Sequence, residues 1–539
     1  MLVPRSSAAA GTSPRFRLAF GGFPFLLLLA ACFTLSACFP SAQQTPKEDK
    51  ARPPNMILIV TDDLTVDDLN LNTLKHMPNL RSLIEKGTTF DNAFATNALC
   101  CPSRATILRG QYTHNHQILS NHMPLGGAEK FRYLGHENST MATWAKEQGY
   151  RTALFGKYMN DYTDRYATSG WDRWYALAGN FLSDDLNENG RIVSYDPERY
   201  HLDDVISDKA SDYAERAAKA EPPFFTTNRP FLMWIGTKAP HQPATPAARD
   251  KNAYPDLALP EPPGFDEKDV SDKPGWVADN PPLGLEQNRY MKKLHRKRLQ
   301  SMLAVDDMIG NLVKTLKQSG ELNNTYMFFT SDHGFHLGEH RLGAGKWTPY
   351  EEDIRVPLIV RGPGVLEGRT LHHMVLNNDL APTFADLAGA EAPSFVDGRS
   401  LKPLLTEEPT PVEDWRGRFL VESVAERGAV PRPPFVKESE VTPLLTGDPL
   451  PNGWRRTSVA SARSSEEWGR PWMKALRTED YLYVEYKSGE HELYDLRKDP
   501  YELDNEYASA SPDLKQRLEG QLDALRQCSA EECRAAEDD

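Results

Sequence analysis

The segment Cys100-Cys101-Pro102-Ser103-Arg104 combines two thiols, a proline and a guanidinium. Pro102 suits the first turn of a helix, where its missing N–H is not needed. Free amides and the helix dipole at such a start favour an anion, and Arg104 adds a planar charge suited to a tetrahedral oxyanion. Taken alone, the segment reads equally well as a buried cysteine pair beside a solvated arginine, because free cysteine is commonly buried. Other residues change that balance. Asp62 and Asp63 are adjacent carboxylates, which repel unless a cation lies between them and so suit a hard metal ion. Lys157, His241, Asp332, His333 and Lys346 recur in loops or at the ends of apolar runs. Together these residues imply a metal beside a cationic pocket.

The elements that must carry them follow from the apolar pattern. Residues 55–60 form an unbroken apolar run, as expected of a strand buried on both faces of a parallel sheet. Asp62-Asp63 falls just past its carboxyl end, where open α/β sheets bind ligands. Residues 150–155, 231–235, 326–329 and 356–360 read as further strands, and the first, second and third of these lead into Lys157, His241 and Asp332-His333. Helices are expected over 77–87, 139–149 and 296–319, each closed by or just before a glycine. Asp306 and Asp307 on the last helix read as structural or solvated, and the basic run 292–298 as a solvated face. The proline-rich stretch 240–285 is too long for a plain connector and is expected to fold over the site. Strand–helix alternation over about 55–400 predicts a mostly parallel sheet sandwiched by helices. After a loop-like stretch at 424–470, residues 473–486 and 491–496 predict a small antiparallel sheet, closed by a helix over 512–527.

The chain has 539 residues, 40% hydrophobic and 26% charged, with a formal net charge of −14. No global basic field exists, which argues against nucleic acid as a partner. Arg5, Arg15 and Arg17 precede an apolar run, the shape of a secretory signal. The run ends Leu35-Ser36-Ala37-Cys38, which looks like a bacterial lipobox with Cys38 as the lipidated residue; an uncleaved membrane anchor is the alternative. The expected organisation is a lipoprotein signal over 1–37, a tether over 38–54, a catalytic domain over 55–400 and a C-terminal α+β subdomain over 401–539. The protein is then exported, at the cell surface or in the periplasm, and touches the membrane only through the lipid. Cys528 and Cys533 are close enough to close a small disulfide in an oxidising compartment.

The chain resembles the formylglycine-dependent sulfatases. Thr61-Asp62-Asp63, the C-x-P-S-R signature at 100–104 with Leu108-Arg109-Gly110, Gly156-Lys157, Ala239-Pro240-His241, Ser331-Asp332-His333-Gly334 and Arg355-Val356-Pro357-Leu358 carry the resemblance. Thr113-His114-Asn115-His116, Gly156-Lys157-Tyr158-Met159-Asn160 and residues 320–326 look like the N-acetylglucosamine-6-sulfatase and heparan endosulfatase branch. The resemblance implies an alkaline-phosphatase-like fold and a sulfuric ester hydrolase acting on a sulfated carbohydrate. It implies that Cys100 is oxidised to formylglycine by a formylglycine-generating enzyme, and that its hydrate attacks sulfur. It implies one Ca²⁺ held by Asp62, Asp63, Asp332, His333 and the converted residue 100. Arg104 would stabilise the hydrate; Lys157, His241 and Lys346 would contact sulfate, with His241 or Lys346 protonating the leaving alcohol. Cys101 is then a small neighbour without chemistry. Two departures stand out: Met159 where many sulfatases have histidine, with Asn160 as the nearest polar substitute, and Gly-Lys-Trp-Thr around Lys346. An arylsulfatase, a phosphonate or phosphate monoester hydrolase on the same scaffold, and a non-catalytic binding protein are the other readings.

Overall fold

The strand Asn55–Thr61 (β1) occupies the middle of a ten-stranded sheet and is buried along its whole length. A computed structural model describes residues 52–538 except 164, 180–183, 221–228 and 425–471. The expected signal, the lipid-anchor cysteine and nearly all of the 424–470 loop lie outside the described residues. No helix among the described residues is long and apolar enough to cross a membrane.

In chain order the other strands are Thr88–Phe90 (β2), Arg151–Gly156 (β3), Arg173–Leu177 (β4), Asp185–Glu188 (β5), Arg191–Ser194 (β6), Phe231–Gly236 (β7), Thr325–Ser331 (β8), Leu358–Arg361 (β9) and Arg369–Leu371 (β10). Their spatial order is β10-β2-β9-β8-β1-β7-β3-β4-β5-β6. The central run β8-β1-β7-β3-β4 is parallel throughout. Antiparallel pairs occur toward both edges, at β2/β9/β8 and β4/β5/β6. The mostly parallel sheet is therefore as expected, while the antiparallel edge strands β5 and β6 are an addition that their mixed polar sequence did not announce.

Alternate side chains divide between two apolar layers, as a pleated strand requires. Met56, Leu58, Val60, Leu232, Trp234 and Phe328 face one core, which includes the helices Cys100–Arg109 (α1) and Leu380–Ala388. Ile57, Ile59, Met233, Ile235, Met327 and Phe329 face the other, covered by Leu202–Ala218 (α2) and Leu285–Gln318 (α3). Each large apolar side chain removed from water contributes roughly 1.5–3 kcal/mol. Helix α3 begins at Leu285, eleven residues before the expected start, because Gln287 Oε1 accepts the Gly284 amide at 2.8 Å and Met291 and Leu294 extend the buried face.

The C-terminal sheet is antiparallel, in the order Arg418–Ser423 (β11), Met473–Thr478 (β12), Tyr481–Tyr486 (β13) and His491–Asp495 (β14). Pro512–Leu525 (α4) covers it, with Ser511 Oγ capping the Leu514 amide at 3.2 Å. The core beneath it also takes in Phe94, Tyr112, Tyr350 and Leu376 from earlier in the chain. Cys528 and Cys533 are joined as a disulfide. The stretch 240–285 is spread over three places: Tyr254 packs in the core covered by α3, Ala244, Leu259 and Leu283 pack with Phe335 and Leu337 just past Asp332-His333, and Val270 and Val277 are buried against the C-terminal sheet, where Lys273 Nζ donates to the Glu502 carbonyl at 2.6 Å.

At the carboxyl ends of β3 and β7 the backbone approaches closely. Gly156 has φ +81°, and a Cβ there would lie 1.9 Å from the Gly236 carbonyl oxygen. Gly156→Ala is expected to lower unfolding free energy by about 2–5 kcal/mol, combining left-handed strain with overpacking. Urea denaturation measures this; a change below about 0.5 kcal/mol would contradict the packing.

Candidate active site

Six segments converge at the carboxyl edge of the parallel strands, the sixth being the loop that carries Lys346. Asp62 and Asp63 follow β1, Lys157 follows β3, His241 lies beyond β7, and Asp332 and His333 follow β8. Cys100 opens α1, where Leu99 is the N-cap and Pro102 falls in the first turn. All ten residues of α1 are buried.

The Cys100 Sγ lies 3.8 Å from Asp62 Oδ1, 3.4 Å from His333 Nε2 and 3.0 Å from Lys346 Nζ. Lys157 Nζ donates to Asp62 Oδ2 at 2.5 Å, and Lys346 Nζ to Asp63 Oδ1 at 2.6 Å. Asp332 Oδ1 accepts the amides of Asp63 and His333, and Arg104 Nε donates to Asp332 Oδ2 at 2.8 Å. Arg104 Nη1 also donates to the Lys157 carbonyl at 2.9 Å, so one guanidinium ties α1 to two strand ends. His333 Nδ1 donates to the Gly334 carbonyl at 2.9 Å, which orients Nε2 toward Cys100. His241 Nε2 is 3.7 Å from Asp63 Oδ2. The side chains of His241 and Lys346 are 23% and 13% exposed and form the rim, while Arg104, Asp332 and His333 are fully buried below it.

Burial and charge act in opposite directions here. Burial pushes the Cys100 thiol up, but Lys157, Lys346 and His333 outweigh it and hold the group well below its ordinary value. Cys101 has no such neighbourhood, and burial pushes it to about 12. Its amide donates to Asn121 Oδ1 at 2.8 Å, so it serves as a helix-start residue. Burial also raises Asp62 to about 6 against the pull of Lys157. Asp63 is lowered despite burial, because His241, Lys346 and His333 surround it. His333 is raised to about 9: burial opposes this, and the Asp332 carboxylate prevails.

All of the residues singled out in the sequence for this site meet here: Asp62, Asp63, Cys100, Arg104, Lys157, His241, Asp332, His333 and Lys346. Met159 does not; it is packed in the hydrophobic core. Asn160 holds the Ala128 amide through its carbonyl at 2.9 Å. Asp306 is structural, as expected, accepting the Leu80 amide at 2.7 Å.

Reading 292–298 as a solvated basic face is corrected by Arg298, which is buried. Its Nη2 donates to the Asp63 carbonyl at 2.6 Å and to Asp68 Oδ2 at 2.9 Å, while the guanidinium lies over Phe335 at 4.5 Å. Asp63 has φ +72°, and Arg298 fixes that uncommon backbone. The signal was present: 298 lies four residues from both Leu294 and Met302 on the apolar stripe of α3. Arg298→Ala is expected to cost about 3–5 kcal/mol, because it strands Asp68 as a buried charge. Chemical denaturation gives the value, and a loss under about 1 kcal/mol would exclude this role. Ser103 and Asn377 were also missed. Ser103 Oγ donates to the Asp332 carbonyl and accepts from Asn377 Nδ2 at 3.0 Å, fixing the end of β8 against α1.

A parallel-sheet edge bearing carboxylates, two ammonium groups and a helix-starting thiol marks the chain as an α/β protein with a site able to receive an oxyanion. The Sulfatase family model matches residues 54–390, and the chain belongs to the sulfatase family. It is 35% identical over 384 residues to an extracellular sulfatase SULF-1 homolog of Drosophila melanogaster, covering 70% of this chain and 34% of that protein. The chain thus spans about a third of that relative's length. It is 32% identical over 501 residues to the N-acetylglucosamine-6-sulfatase of Capra hircus, covering 90% of this chain and 85% of the relative. A solved structure of a protein in complex with its substrate D-glucosamine-2-N,6-O-disulfate superposes with a TM-score of 0.69 at 26% identity, covering 90% of this chain and 99% of the other.

Proposed function

We propose that the chain is an exported sulfuric ester hydrolase that removes sulfate from a sulfated sugar, with 6-O-sulfated N-acetylglucosamine in glycans as its substrate. The observation that carries this reading is the position of Cys100 Sγ, within 3.8 Å of Asp62, His333 and Lys346 at once. The identity with N-acetylglucosamine-6-sulfatase and the likeness to the glucosamine-disulfate complex support the substrate class.

The donor set fits a hard cation. Asp62, Cys100, Asp332 and His333 offer ligand atoms within 4.8 Å of one another, as do Asp62, Asp63, Cys100 and His241. Asp63 Oδ2 is a buried oxygen without a hydrogen-bond partner. Three carboxylates and the oxygen of the converted residue 100 make the shell predominantly oxygen, as Ca²⁺ requires; Asp62, Asp63, Asp332 and residue 100 hold the ion in this reading, with His333 as its one nitrogen ligand. The bound ion supplies positive charge that offsets the sulfate, and residue 100, once oxidised by a formylglycine-generating enzyme, supplies an oxygen nucleophile as its hydrate.

The chain's other groups prepare the ester. Lys157 and Lys346 neutralise sulfate oxygens as charge builds on them. Arg104 Nη2, buried and without a hydrogen-bond partner, is a donor for the hydrate, and the other two nitrogens hold Asp332 and the Lys157 carbonyl. His241 Nδ1 is fixed on the Gln242 carbonyl at 2.6 Å, which directs Nε2 toward the site to protonate the departing alcohol. Residues 55–400 form the catalytic domain in this reading and 401–539 a subdomain that supports it. A lipid on Cys38 anchors the protein outside the cytoplasmic membrane.

Sulfate release from a panel of sulfated monosaccharides, glycan fragments, aryl sulfates and phosphonate esters tests the reading. The expected result is the highest kcat/KM on 6-O-sulfated N-acetylglucosamine. A preference for aryl sulfates or phosphonates would replace it with the corresponding hydrolase.

A further inference from the structure

A second cluster of ligand-type atoms lies away from Cys100. His340, Glu352 and Glu502 each offer an atom within 4.8 Å of the others. His340 is fully buried and Glu502 is 1% exposed. Each of the three also carries a buried atom without a hydrogen-bond partner: His340 Nε2, Glu352 Oε2 and Glu502 Oε1. No ion pair to Glu352 or Glu502 occurs among the described residues. The basic groups nearby are engaged elsewhere: Arg477 with Glu351 at 2.7 Å, and Lys273 with Glu267 at 3.7 Å.

The surroundings orient these atoms. His340 Nδ1 pairs with Glu267 Oε2 at 2.7 Å, which makes Nδ1 the protonated nitrogen and turns the Nε2 lone pair toward the two glutamates. A carboxylate behind a histidine is the usual support of a metal-bound imidazole. Glu502 Oε2 accepts the Glu351 amide at 3.2 Å, which leaves Oε1 for the cluster. Glu352 is held by its own backbone, whose carbonyl accepts the Phe335 amide at 2.8 Å. Three lone-pair donors converging in a buried space need either protons or a cation between them.

We propose that His340, Glu352 and Glu502 form a second, structural metal site for a divalent transition cation of the zinc type. One imidazole and two carboxylates suit zinc better than calcium, which prefers an all-oxygen shell. The ion joins three parts of the chain: the segment after β8, the short helix Glu351–Ile354, and the turn after β14. It braces the stretch 340–352 that carries Lys346.

Full-length protein carrying Cys100→Ala and His333→Ala separates this site from the active site. After exposure to Zn²⁺ and removal of free metal, elemental analysis is expected to find about one zinc per chain. Adding Glu502→Gln, which preserves shape, is expected to lower retained zinc at least tenfold, and zinc is expected to raise the melting temperature only while Glu502 is intact. Anomalous diffraction at the zinc edge from the otherwise unaltered protein should place a peak between the three side chains. No peak there, or zinc retention indifferent to Glu502→Gln, would overturn the proposal and leave protons shared among these groups as what holds them together.

Discussion

Cys100→Ala is expected to reduce sulfate release by about ten-thousandfold or more, the scale seen when a nucleophile is removed. Cys101→Ala is expected to stay within a few fold of the unaltered protein. The contrast rests on geometry rather than on sequence, where the two cysteines are neighbours. Cys100 faces two ammonium groups and a histidine that lower its pKa, whereas burial alone raises Cys101. One residue along a helix turns the side chain by about 100°, enough to take it from the site into the core. Initial rates on a sulfated sugar, with peptide mass spectrometry of protein from the native host, check both halves. The peptide containing Cys100 should show sulfur replaced by oxygen with loss of two hydrogens. Equal loss of activity in the two variants, or an unmodified thiol at 100, would remove Cys100 as the nucleophile's source.

Asp63→Asn carries the second large effect, about 10²–10³-fold in kcat/KM. Asp63 serves three partners: Lys346 at 2.6 Å, His333 at 3.5 Å and His241 at 3.7 Å. An amide of the same shape keeps the backbone that Arg298 grips, so the fold should survive while the charge is lost. Calcium affinity should fall in parallel, about tenfold or more. Calorimetric titration of chelator-treated protein with Ca²⁺ reads the affinity, and assays with and without added Ca²⁺ read the activity. Chelator-treated protein that keeps full activity would exclude the cation's role.

The sheet was legible because its central strands are unbroken apolar runs, and a parallel strand buried on both faces has few other sequences available to it. Site residues were legible for a related reason: charged groups standing directly after such runs have no packing explanation. What escaped was of another kind. The edge strands β4, β5 and β6 are short and carry mixed polar residues, and they join the sheet only through the pairing of β4 with β3. Arg298 was hidden by its type, since a long basic side chain on a helix is ordinarily solvated, and only its register with Leu294 and Met302 marks it as buried. Ser103 sits in plain view inside the signature, but its bond to the Asp332 carbonyl joins residues that no sequence spacing relates.

The pairing of β1 with β8 also has a temporal side. Asn55 stands beside Thr325, and Asp332 is reached only after β8, so the pocket around residue 100 cannot close until some 270 residues have been added. Chain growth at roughly 5–20 residues per second makes that an interval of tens of seconds, and non-local strand pairing lengthens it further. In the finished protein α1 is buried from end to end. On the reading proposed above, the oxidation of residue 100 therefore works against a clock set by synthesis and folding.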